Sequence, residues 1–408
     1  MKRFFLYAMM TAGVLASCSQ NENDGLPNNE PADLTPSADA ILLSAAAPSV
    51  TVNASTRSAG TIGGDGANIT NSWSGQKLYI YACQKDSKTG ITMSDKISDP
   101  NTYALYNEEG MVGTGDKISG VTWTDNESRY FPRSGAFDFF GYYGDDAVTG
   151  EPQSETMNGT NVLYKSFIIN GSQDLMIAKA ELSEGDKTTL GEADINKAYS
   201  SYTARRGVQP SMKFEHLLTR LVFNIKGLGE SQPENVYVQS IKVMSKTTGK
   251  LVFVYADDTN KGIQWDVNDK GSLLALQERN ANVMQELTDK KYYASATGAA
   301  APTPVGEALL VESGVGSYYI EVAVKQEKDK DGNTIPVEKQ TETYKLTLQA
   351  SDVTKDEGSA GITTFAPSTS YNVTIAVYSV EKIELKAELG EWIEGGDIVI
   401  NPDDTFTE

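Results

Sequence analysis

The chain is poor in the residues that metal and nucleophile chemistry needs. Its 408 residues include one histidine, His216, and two cysteines, Cys18 and Cys83. A single histidine excludes an HExxH zinc site and every multi-histidine metal site within one chain. No GxSxG elbow occurs, and Gly249-Lys250 is followed by Leu251, so there is no Walker A motif either. His216 lies inside a strand pattern and reads as structural. Two cysteines give no disulfide framework if Cys18 is modified, and Cys83, in the alternating stretch 78–83, reads as a small core hydrophobe. No cofactor and no enzymatic activity are expected. Paired carboxylates of the glycosidase kind are compatible with 55 acidic residues, but sequence does not place them. Basic residues are also few: 35 Lys and Arg against 55 Asp and Glu leave a net charge of −20. That field repels phosphate backbones and argues against nucleic acid as a partner.

Long apolar runs are missing as well. The longest, Phe4 to Val14, is shorter than the roughly 20 residues a membrane-spanning helix needs. It is flanked by Lys2 and Arg3 on one side and by Leu15-Ala16-Ser17-Cys18 on the other. A basic start, a short apolar stretch and small residues before a cysteine make a lipoprotein signal peptide of residues 1–17, with acylation at Cys18 and attachment to a membrane. Residues 18–40 are polar, acidic and rich in Asn and Pro. Such a segment cannot bury a core, and it reads as a tether.

The rest of the chain alternates with a period of two. Val50 and Val52, Leu78 and Ile80, Phe137 and Phe139, 317–324, Leu346 and Leu348, and Val373, Ile375 and Val377 all follow this spacing, which is that of half-buried strands. Turn signals such as Asp331-Gly332, Thr248-Gly249 and Asn170-Gly171 punctuate them. Helical signal is confined to 272–287. The reading is an all-β chain of two antiparallel β-sandwich domains in tandem, 41–206 and 207–408, with the boundary placed where strand density falls at 199–207. Asp329-Lys330-Asp331-Gly332-Asn333 lacks the later ligands of a calcium loop and reads as a hairpin tip. Gly63-Gly64-Asp65-Gly66 has no helix after it and reads as a loop.

One basic residue stands alone. Between Arg3 and Lys77 there is only Arg57, among small residues from Asn53 to Gly60. A trypsin-like protease acting on this segment would cut once, between Arg57 and Ser58. Just upstream is a strand candidate, Ser49–Asn53, preceded by Ile41-Leu42-Leu43. Its loss would leave a groove of unpaired backbone groups able to accept a strand from another chain.

Several segments, in order, resemble the fimbrillin family of Bacteroidetes and its Mfa-like relatives. They are Cys18; Thr56-Arg57-Ser58-Ala59 ahead of Trp73 and 78–81; Tyr130-Phe131-Pro132 with 137–143; Asp174-Leu175-Met176; Phe214-Glu215-His216; and Phe365 with 371–375, followed by Glu391-Trp392. The resemblance implies transthyretin-like sandwiches, a type V pilus subunit carried as a lipoprotein to the outer membrane, and maturation at Arg57 by an arginine-specific protease. It also implies donor-strand exchange with other fimbrial subunits, in the service of adhesion to a surface receptor. The donor candidates are 382–388, with Ile383, Leu385 and Ala387 on one face, and 397–401, with Ile398 and Ile400. The alternative reading is a surface glycan-binding lipoprotein that stacks sugars on Trp73, Trp123 or Trp265.

Overall fold

The computed structural model describes residues 39–46, 75–112, 120–228, 235–278, 287, 291–299, 301–329, 331–354, 362–379 and 382–390. Among them the architecture is two pairs of facing sheets, and the expected β-rich fold is present. A six-stranded sheet has the order β10 (Glu215–His216), β8 (Met176–Lys179), β5 (Ala136–Tyr143), β2 (Lys77–Lys85), β3 (Tyr103–Val112) and β4 (Val121–Trp123). A four-stranded sheet faces it, with the order β14 (Gly262–Trp265), β13 (Thr248–Tyr255), β7 (Thr160–Ile168) and β6 (Val148–Met157). The second pair consists of β17 (Thr303–Val311), β11 (Thr219–Gly227), β21 (Thr369–Ser379), β22 (Lys382–Gly390) and β20 (Val353–Thr354), set against β15 (Ser272–Ala275), β12 (Val236–Ser245), β18 (Ser317–Gln326) and β19 (Thr341–Gln349), with β16 (Tyr292–Tyr293) also on β12. A small parallel pair joins β1 (Ser44–Ala46) to β9 (Ser211–Lys213). Pairing is antiparallel except at β1–β9, β11–β21 and β20–β22.

The period-two pattern explains why β2 and β5 lie at the centre. In β2, Leu78, Ile80 and Ala82 enter one core while Tyr81 and Cys83 enter another. β5 is buried at every position and does the same with Phe139 against Phe140. One face meets the four-stranded sheet; the other is covered by residues 41–43, β9 and the segment 182–214. Gly141 in β5 makes that cover possible, because a Cβ there would lie only 3.0–3.2 Å from Phe214, Ile80 and Met212. The second pair of sheets encloses its own core of Leu221, Phe223, Ile241, Ile320, Tyr371 and Val373. Cys83 is buried and its thiol is pushed up to about 12 by desolvation, which removes it from thiolate chemistry at neutral pH.

Three sequence expectations change. First, β13 and β14 lie beyond residue 207, yet β13 pairs with β7 from Thr248–Ile168 to Tyr255–Val162. The halves 41–206 and 207–408 are therefore interleaved rather than joined end to end. The switch between sheets takes only Lys246 and Thr247, and Asp269 clamps it by accepting from the N–H groups of Thr247 at 2.7 Å, Thr248 at 2.9 Å and Gly271 at 2.7 Å. Burial works to raise the pKa of this carboxyl, but those bonds outweigh it and hold it well below the ordinary value. Second, 199–207, read as the boundary, is part of the folded first unit. After α1 (Ser94–Ile97) and α2 (Glu184–Leu190), it forms α3 (Ser201–Ala204), capped by Ser200 with Thr203 in reciprocal hydrogen bonds, and Tyr199 and Ala204 sit in the core. Third, 272–275 is the strand β15, because it pairs with β12 and buries Leu274; tertiary pairing overrides helix propensity there.

Candidate functional site

The structure brings together residues 39–46, β9 and the stretch 120–131 around an extended segment that lies upstream of Arg57. On one side, Ile41 N–H donates to Arg129 C=O at 2.8 Å, Phe131 N–H to Asp39 C=O at 2.9 Å, and Val121 N–H to Leu43 C=O at 2.9 Å. On the other, Ser44 N–H donates to Pro210 C=O, and β1 continues in parallel with β9 from Ser44–Ser211 to Ala46–Lys213. Between these, Gln209 does the work of a strand with its side-chain amide: Oε1 accepts from Leu42 N–H at 3.2 Å, and Nε2 donates to Ala40 C=O at 3.0 Å. Arg205 holds Asp39 by two bonds, at 2.8 and 3.1 Å; the pair is partly exposed, so it contributes at most about 1 kcal/mol. Asp39 and Ala40, assigned to the tether from sequence, belong to the folded body.

Side chains alternate along the segment. Ile41 and Leu43 point into the core beside Leu78, Phe131 and Phe139, while Leu42 is 37% exposed. Burying each inward side chain contributes about 1.5–3 kcal/mol. Leu43→Ala is expected to cost about 2–5 kcal/mol in urea unfolding. Leu42→Ala should stay within about 0.5 kcal/mol, and equal losses would contradict this orientation. The segment is thus a short strand held by main-chain bonds on both edges and by two apolar anchors, a seat that would present unpaired backbone groups if its occupant left.

A model of the fimbrillin-like family matches residues 67–392. The chain belongs to that family. A fimbrial protein from Bacteroides vulgatus is 14% identical over 77% of this chain and 91% of its own, with a TM-score of 0.44. A candidate cell adhesion protein from Bacteroides uniformis is 14% identical over 88% and 100%, at 0.46. The fimbrial anchor protein Mfa2 from Porphyromonas gingivalis is 10% identical over 83% and 90%, at 0.31. No curated protein matches the sequence.

The other sequence-derived sites of this fimbrillin-like chain fall as follows. Cys18, Arg57, Ser58, the strand candidate Ser49–Asn53, Ile398 and Ile400 lie outside the described residues. The described seat holds 39–46, which includes the apolar residues 41–43 that precede that strand candidate in sequence. Ile383, Leu385 and Ala387 are in β22, which pairs with β21 along its length, Ile383 with Val377, Leu385 with Ile375 and Ala387 with Val373. Ile383 and Ala387 are buried and Leu385 packs against the same core. This donor candidate is seated in its own molecule. His216 Nδ1 donates to Asp174 Oδ2 at 2.6 Å, both groups buried. Trp123 is buried under Arg129, and Trp265 is half-buried. No cluster of three metal-ligating side chains occurs among the described residues, and no helix among them is long and apolar enough to cross a membrane.

Proposed function

We propose that this chain is a non-enzymatic structural subunit of a cell-surface fimbria that serves adhesion. It is exported as an outer-membrane lipoprotein acylated on Cys18, cut between Arg57 and Ser58 by an arginine-specific protease, and polymerised by donor-strand exchange with other fimbrial subunits. Family membership supports the fimbrial role. The observation that carries the assembly mechanism is the seat of residues 39–46: a strand N-terminal to the solitary Arg57 is docked in a groove by main-chain bonds and two apolar anchors. A cut at Arg57 severs that strand from the rest of the chain and lets it dissociate. The groove then presents N–H and C=O groups and two apolar pockets to an incoming strand.

With β22 fixed in its own sheet, the donor role falls to residues 397–401. Ile398 and Ile400 there have the same two-residue spacing as Ile41 and Leu43, so one face of an incoming strand would fill both pockets. Native treatment of the chain from Cys18 onward with an arginine-specific protease tests this, following intact mass and particle size together. The expected result is a product beginning at Ser58 that assembles into linear polymers, while Arg57→Ala stays intact and monomeric. A chain cut at Arg57 that remains monomeric, or one that polymerises uncut, would overturn the strand-exchange reading.

A further inference from the structure

Where β10 and β14 form the open edges of the first pair of sheets, against loops of the second pair, there is a cleft of about 600 Å³. This lies within the range of small-molecule sites. Its lining includes Lys213, Glu215, His216, Lys261, Ile263 and Trp265. Lys213 also pairs through its backbone with Ala46 at the end of the seat, but strand exchange there uses main-chain groups and leaves the side chains of this cleft unaccounted for.

The cleft combines an aromatic wall, a fixed polar floor and two exposed ammonium groups. Trp265 is held edge to face on Phe167, with ring centroids 5.3 Å apart and planes at 77°. It is half-buried, unlike Trp123, whose ring is buried beneath Arg129. His216 is 5% exposed and is locked by its 2.6 Å bond to Asp174, whose second oxygen is buried without a hydrogen-bond partner. Lys213 and Lys261 are exposed and enter no ion pair among the described residues, and Glu215 is the one carboxylate that shares the lining. In number they are matched by Glu215 and by Asp174 behind His216, but Lys213 and Lys261 are the exposed ammonium groups that an anion entering the cleft would meet. An indole face suits the weakly positive C–H face of a pyranose ring, and ammonium groups on flexible stems suit a carboxylate.

We propose that this cleft binds an acidic saccharide, its ring stacked on Trp265 and its carboxylate held by Lys213 and Lys261. A fimbrial subunit with this site carries a lectin function in its own body.

Calorimetric titration of the full chain with 3′-sialyllactose, a hyaluronan tetrasaccharide and lactose tests it, since the first and last differ by one carboxylated sugar. At least one acidic probe is expected to bind about tenfold or more tightly than lactose, with an affinity that falls as salt rises. Lys213→Gln combined with Lys261→Gln should weaken the acidic probe about tenfold while leaving the thermal midpoint in place, because both side chains are exposed. Trp265→Ala should abolish binding of every probe. Absence of heat with both acidic probes, equal affinity for lactose, or full affinity in the double lysine variant would each overturn the assignment.

Discussion

Replacing Phe253 with Ala is expected to lower the unfolding free energy by about 3–5 kcal/mol, and the loss should appear in strands more than one hundred residues earlier in the chain. Phe253 is fully buried in β13, its ring 4.9 Å from that of Tyr81 in β2 and 4.5 Å from that of Tyr142 in β5. By position it belongs to the second half of the sequence; by packing it belongs to the first core. Phe223→Ala is the matched control, since Phe223 is equally buried but sits in the core of the other pair of sheets. Urea unfolding should show similar costs for the two variants. Native-state hydrogen exchange should separate them, with Phe253→Ala loosening β2 and β5 and Phe223→Ala sparing them. Unchanged protection of β2 and β5 in Phe253→Ala would mean that the sheets on either side of the first core do not depend on each other.

Alkaline unfolding is expected to be abrupt. Tyr81, Tyr103, Tyr142, Tyr143, Tyr199, Tyr255 and Tyr318 all have phenol pKa values raised far above the ordinary value of 10.0, and burial is the leading cause for each. In the unfolded chain these phenols ionise near 10, while in the folded protein they stay neutral. The stability they contribute is therefore complete below pH 10 and is lost as pH rises above it, because the unfolded state then binds fewer protons. Lys85 and Lys165, whose pKa values burial lowers, work in the opposite sense below the ordinary lysine value, and they are outnumbered. Phenolate absorbance should rise in two waves: a reversible one from exposed tyrosines, and a cooperative one that coincides with loss of the β-sheet dichroism. A single reversible wave with the dichroism intact would contradict this.

Much of the fold was legible because a strand buried on one or both faces writes its burial into a period of two. Leu78 and Ile80 against Tyr79 and Tyr81, or Val373, Ile375 and Val377, can be read without knowing a partner. Partners themselves cannot be read this way. Nothing local to 248–255 says that it pairs with 162–168 rather than with β12, which is only two residues away, and this is why the halves were divided at 206 and 207. The stretch 199–207 reads as a boundary because strand density falls there and Ser, Arg and Gly accumulate; in the structure Ser200 caps a buried helical turn. Leu273, Leu274 and Ala275 are good helix formers, yet a neighbouring strand edge decided their state. At the candidate site, the alternation of Ile41 and Leu43 about Leu42 is legible as sequence, while the side-chain bonds by which Gln209 flanks them are not. Residues 39 and 40 read as tether because the acidic, Pro-rich composition runs on to Ala40 without a break. His216 was read as structural, and its buried bond to Asp174 explains how one histidine can serve packing.

The two-residue passage from β12 to β13 also governs the order in which the molecule can form. As the chain emerges from its N-terminus, β2, β5 and β7 are complete long before β13 and β14 exist. Until residue 265 has appeared, the apolar face carrying Tyr81, Phe140 and Tyr142 lacks half of the sheet that closes it. Contacts that distant in sequence form late and slowly. The first half of the polypeptide therefore cannot lock into a finished shape while the second is still being made.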